Sequence, residues 1–136
     1  MRDIFFIALI MTAIGFSACG IKSDSAVLDA SEIKTTVKFV ATELDLGRVN
    51  EGEKVAFVYE LVNTGDADLL IHNVMVACGC TKPKYDKKPI RPGKKTSIEV
   101  TFDTAGRPGH QRKSVMIVTN TEPSNTVLTF NCEVLQ

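Results

Sequence analysis

The chain has 136 residues, 44% of them apolar, and its 16 Lys and Arg balance 16 Asp and Glu to a net charge of zero. A neutral chain without a long basic run lacks the electrostatic footprint of a nucleic-acid binder, so no nucleic-acid partner is expected. The basic residues from Lys82 to Lys95 fall in a Pro-containing stretch interrupted by Asp86, and they read as a solvated surface.

Met1-Arg2-Asp3 is a short charged start, followed by an almost unbroken apolar run from Ile4 to Phe16. That run has the length of a signal-peptide core and is too short to span a bilayer comfortably. Ser17-Ala18 then precede Cys19. Small residues before a cysteine resemble the lipobox of bacterial lipoproteins, here with Phe16 where Leu is usual. The resemblance implies that residues 1–18 are a signal peptide, that Cys19 carries lipid including palmitate, and that the membrane is contacted through this N-terminal lipid. Two or more acyl chains anchor stably where one does not. Residues 19–35 read as a polar tether, rich in Ser, Asp, Lys and Glu after Cys19. Stretched fully, the tether reaches on the order of 50 Å at ~3.3 Å per residue. Residues 36–136 remain as one small domain, large enough for a core without metal or disulfide staples.

From Val37 the apolar period is two. Val37, Phe39 and Ala41 alternate with polar or outward residues, and Leu44 and Leu46 follow in shifted phase. The slip at Ala41-Thr42 predicts a kink or bulge in an edge strand. Beyond the Gly52 turn, Val55, Phe57, Tyr59 and Leu61 share a face. Asn63-Thr64-Gly65-Asp66 is a turn cluster. Leu69 to Ala77 is a mostly apolar strand. Beyond Pro92-Gly93, Ile98, Val100 and Phe102 alternate cleanly. Gly106-Arg107-Pro108-Gly109 turns the chain into a strand at Val115–Val118. Leu128, Phe130, Cys132 and Val134 line the last strand. About seven short strands with Gly, Pro and Asn punctuation predict an all-β, Ig-like sandwich of antiparallel strands, and not a fold with parallel ones. The chain has no Trp, and its cysteines are not spaced as the inter-sheet pair of antibody domains.

Several segments recur in a recognisable order. They are Leu46-Gly47, Glu51-Gly52-Glu53, Asn63-Thr64-Gly65, Cys78-Gly79-Cys80-Thr81, Pro92-Gly93, the strand from Ile98 to Thr104, and Thr119-Asn120. From about residue 36 to the end, the chain resembles the bacterial family called domain of unknown function 1573. Leu46 stands where that family more often has an aromatic residue. The resemblance implies an Ig-like fold, related to Hydin-like and major-sperm-protein-like domains, in the bacterial cell envelope. It implies no activity.

Cys78-Gly79-Cys80 is the chemically most suggestive motif, and three readings stand. It is a structural turn or structural disulfide. Alternatively it is a reducible bridge that exchanges electrons. Or it is a soft-metal site for Cu(I) or Zn²⁺, with His72 or His110 adding nitrogen. Alternation would put both sulfurs on one face of a strand. Cys132 shares the apolar face of the last strand and reads as a buried free thiol. Neither histidine has a motif-level partner, no nucleophile elbow or phosphate loop is present, and no catalytic residue and no cofactor is expected. The resulting expectation is a non-enzymatic, outer-membrane lipoprotein facing the periplasm. It would bind an unknown protein or envelope partner through a sheet edge or loops. The alternative is a thiol-redox or soft-metal-handling protein using Cys78 and Cys80.

Overall fold

A computed structural model describes residues 33–136. The expected signal peptide, Cys19 and most of the expected tether lie outside the described residues.

Eight strands form two sheets: β1 (Val37–Phe39), β2 (Glu43–Asn50), β3 (Lys54–Asn63), β4 (Ile71–Val76), β5 (Thr81–Tyr85), β6 (Lys95–Asp103), β7 (Gly109–Thr119) and β8 (Asn125–Leu135). One sheet has the order β1-β3-β6-β5 and the other β2-β8-β7-β4. The alternating residues face inward where the period of two predicts. Ile98, Val100 and Phe102 are fully buried on β6, as are Leu128 and Phe130 on β8. Each such side chain contributes ~1.5–3 kcal/mol by leaving water. Phe130 stacks at the centre, its ring 4.7 Å from Phe57 and 5.3 Å from Phe102. Aromatic pairs favour such tilted and edge-on arrangements. Tyr59 is buried on β3, yet its hydroxyl donates to the Thr129 carbonyl of β8 at 2.7 Å, which ties one sheet to the other.

Two expectations are corrected. The phase slip near Ala41 is not a kink within one edge strand. There the chain leaves β1, which pairs antiparallel with β3, and crosses to the other sheet as β2. Because β2 enters beside the last strand, running in the same direction, it pairs with β8 in parallel. The strands are therefore not all antiparallel. An Asp45-to-Arg48 irregularity in that pairing contains Gly47 at φ 70°, whose N–H bonds the Asp45 carboxylate at 2.8 Å. A left-handed residue in a bulge favours glycine.

The second correction adds β5, a strand that the sequence pattern hides. Lys82, Pro83 and Lys84 read as a charged turn, but they pair with Thr101, Val100 and Glu99 of β6. The strand is at an edge, where proline loses no inner hydrogen bond and lysines discourage further pairing.

Candidate functional site

The two ends of the sandwich are built differently. At one end, β4 of one sheet hands over to β5 of the other through Ala77-Cys78-Gly79-Cys80. Cys78 and Cys80 are joined by a disulfide, with their Cα atoms 5.2 Å apart. Residues i and i+2 of an extended strand stand about 6.6 Å apart. The motif is therefore a turn rather than the end of a strand. The Thr81 N–H donates to the Cys78 carbonyl at 3.3 Å, and the Asp103 N–H to the Cys80 carbonyl at 2.8 Å. The Thr81 hydroxyl lies 3.6 Å from Cys78 Sγ and 3.8 Å from Cys80 Sγ. Cys80 is 7% exposed, Cys78 is half-buried and Gly79 is exposed.

A cleft of about 300 Å³ opens against this turn, lined in part by Lys54, Gly79, Cys80, Lys82, Asp103 and Arg107. Three cations thus face one carboxylate. Among the described residues, none of the three cations makes an ion pair. The Arg107 Nε is buried and has no acceptor. Asp103 is engaged by the Ala105 N–H at 3.1 Å, and nearby Glu51 by the Gly106 N–H at 2.9 Å. Arg107 and Lys54 carried no sequence motif. Lys82 stood in a stretch read as plain surface.

The donors that the soft-metal reading would need do not converge. His72 on β4 and His110 on β7 are both exposed, and His110 Nδ1 lies 3.7 Å from Glu133. Among the described residues, no three His, Cys, Asp or Glu side chains are grouped to hold an ion. While the bridge is closed, neither Cys78 nor Cys80 is a thiolate ligand. Cys132 is free and buried, and burial pushes its thiol above its ordinary value.

The opposite end is stitched by two buried asparagines, Asn63 at the end of β3, where the turn cluster begins, and Asn120 just beyond β7. Asn63 Nδ2 donates to the carbonyls of Ala67 and Ile90 at 2.7 and 2.8 Å. Its Oδ1 accepts from the Thr35 hydroxyl and the Gly65 N–H at 3.0 and 3.1 Å. Asn120 Nδ2 donates to the carbonyls of Ile33 and Asp68 at 2.8 and 2.9 Å, and its Oδ1 accepts from the Leu70 N–H at 2.7 Å. A Cβ on Gly65 would collide with the Thr35 hydroxyl and stand 2.7 Å from the Thr36 nitrogen. The described chain therefore enters the sandwich at the asparagine end. β3 runs from Lys54 at the disulfide end to Asn63 at the asparagine end, and its ten residues span roughly 30 Å.

β3 also has a bare margin. β1 covers only Leu61 to Asn63, extended by the Val40 N–H donating to the Glu60 carbonyl at 2.9 Å. Backbone groups alternate sides along a strand. Asn63 bonds toward β6 and Glu60 toward β1, so the N–H and C=O of Ala56 and Val58 point away from β6. Among the described residues they have no backbone partner.

A family model described as "Protein of unknown function (DUF1573)" matches residues 37–134. No curated protein matches the chain. Among solved structures, a protein of unknown function from Porphyromonas gingivalis W83 superposes with a TM-score of 0.66 at 22% identity, covering 81% of this chain and 51% of that one. The chain thus spans about half the length of that protein. The PapD-like domain 7 of human CEP192 gives a TM-score of 0.63 at 13% identity, over 76% of this chain and 87% of that one. The VesB protease of Vibrio cholerae gives 0.57 at 14% identity over 74% of this chain and 32% of that one. At these identities the likeness is one of fold. The family match covers most of the chain and nearly all of the sandwich, and the chain belongs to the DUF1573 family of proteins of unknown function.

Proposed function

We propose that this chain is a non-enzymatic binding module of the bacterial envelope, anchored through lipid on Cys19 and facing the periplasm. It takes an extended segment of a protein partner onto the bare half of β3. The observation that carries this reading is the unpaired backbone of Ala56 and Val58, on a strand that continues a fully formed sheet. Two of the other edges, β5 and β2, offer less. β5 carries Lys82, Pro83 and Lys84, and β2 carries Glu43, Asp45 and a bulge at Gly47. Lysines, proline, charges and bulges are the devices that blunt an edge against pairing. Beside the bare stretch, Val58 is 48% exposed and Val40 64%, giving an incoming strand apolar side chains to cover. Main-chain bonds would supply affinity and these side chains specificity.

Anchoring at Cys19 would attach the tether at the asparagine end, where the described chain enters, and fully stretched that tether is longer than the roughly 30 Å of β3.

The test is photocrosslinking in cells from a probe at Val58, compared with one at Lys84 on the blunted edge. A discrete adduct is expected from Val58 alone, lost with Ala56→Pro, which removes an edge N–H that the fold does not use. Equal adducts from both sites, or an Ala56→Pro adduct of unchanged yield, would sink the reading. Cys19→Ala should release the protein from the membrane fraction.

A further inference from the structure

We infer that the cleft at the disulfide end is a docking site for a small thiol bearing carboxylate groups, which exchanges with the Cys78–Cys80 bridge. The inference is independent of the β3 edge and rests on three features in one place. The first is a disulfide whose Cys80 side lines a cleft of about 300 Å³. That volume is at the small end of ligand sites, of a size for a small molecule rather than a folded partner. The second is charge. Lys54, Lys82 and Arg107 line the cleft against Asp103, and no described carboxylate pairs with any of the three. Converging cations concentrate anions from solution and raise their encounter rate. The third is the Arg107 Nε, buried without an acceptor, a polar group that native structures usually satisfy.

A generic surface turn closed by a disulfide needs none of this. Cationic side chains gathered at a bridge favour two anionic species that exchange requires. They hold the incoming carboxylate, and they raise the fraction of its thiol that is thiolate, the attacking form. The step is balanced. The incoming thiolate forms a sulfur–sulfur bond to Cys80, the Cys78–Cys80 bond breaks, and its electron pair leaves on Cys78. The Cys78 thiolate has the Thr81 hydroxyl at 3.6 Å as a donor. A second thiolate attacking the mixed disulfide releases Cys80 as thiolate and leaves the small thiol as its own symmetrical disulfide. The protein bridge is then reduced by two electrons, and the small thiol is oxidised by the same two.

The experiment uses the full chain in detergent, purified without reductant. Mercaptopropionate, mercaptoethanol and cysteamine are compared as anionic, neutral and cationic thiols, with each rate per thiolate divided by the same thiol's rate on a small uncharged disulfide, which removes the differences in thiolate fraction and in intrinsic nucleophilicity. Opening of the bridge is read by alkylation and mass of the peptide holding Cys78 and Cys80. Mercaptopropionate should react about tenfold faster than cysteamine at low salt. Lys54→Gln with Lys82→Gln should abolish that preference. Lys84→Gln with Lys95→Gln, the same charge change outside the cleft, should preserve it. Cysteamine reacting as fast as mercaptopropionate overturns the inference. So does a preference that the two variant pairs reduce equally, because that would be the field of the whole protein and not of the cleft.

Discussion

The two ends of this sandwich solve the same problem by opposite means. Each must close a loop where the chain passes between sheets or enters the fold. The asparagine end does it with buried amides. Asn63 and Asn120 each bond several backbone groups through a buried amide, and they pin Thr35, the 64–70 loop and the start of the described chain. The disulfide end does it with a covalent bond across three residues. A bond that closes so small a loop removes little entropy from the unfolded chain, whereas a buried amide that makes four hydrogen bonds is costly to lose. The non-covalent end is therefore the structural one, and the covalent end is free to do chemistry.

The largest expected effect tests that ranking directly. Asn63→Ala removes four hydrogen bonds; the Ile90 and Ala67 carbonyls and the Thr35 hydroxyl each keep another partner while the Gly65 N–H loses its own, and the change should cost about 2–3 kcal/mol by urea denaturation. A cost below that of removing the disulfide would break the comparison. The next prediction concerns the middle of the sandwich, where neither end acts. Burial, with a smaller push from the Glu43 charge, raises the Tyr59 phenol from 10.0 to about 12. Below pH 10 the folded and unfolded chains both hold this proton. Between pH 10 and about 12 only the folded chain does, so unfolding releases it and stability falls as pH rises. The slope should be up to about 1.4 kcal/mol per pH unit. Tyr59→Phe should remove this component from urea melts taken across that range, and an unchanged alkaline slope would refute it. The smallest effect is Cys78→Ser with Cys80→Ser. Chain entropy for a three-residue loop gives only about 1.6 kcal/mol, measurable as a shift in the urea midpoint.

Much of the fold was legible because a sheet writes its faces into the sequence. Phe57, Tyr59 and Leu61, then Ile98, Val100 and Phe102, then Leu128, Phe130, Cys132 and Val134 alternate visibly, and all are buried. β5 was not legible, because an edge strand tolerates Pro83 and wants Lys82 and Lys84, which are also what a turn looks like. The role of Asn63 was hidden for a related reason. An asparagine in Asn-Thr-Gly has the chemistry of an exposed turn, and only the fold shows that its amide is enclosed. Gly65 was visible as a turn glycine, but the demand for space came from Thr35 and Thr36, about thirty positions away.

The candidate site divides the same way. Cys78-Gly79-Cys80 stood out as a motif because two thiols at one-residue spacing are chemically unusual. Its cationic wall had no signature, since Lys54, Lys82 and Arg107 come from three separate elements and meet only when β3, β5 and the turn after β6 are stacked at one end.

The sequence by itself therefore determined the strand period, the core-facing residues, the family and the position of the cysteine pair, all of which are local or near-local patterns. The tertiary structure decided the sheet switch between β1 and β2, the bare margin of β3, the enclosure of the asparagines and the gathering of charge beside the bridge. The physical reason is range. Side-chain alternation is set by neighbours one or two residues away, whereas an unpaired edge, a satisfied amide or an electrostatic cleft is defined by what distant segments bring or fail to bring.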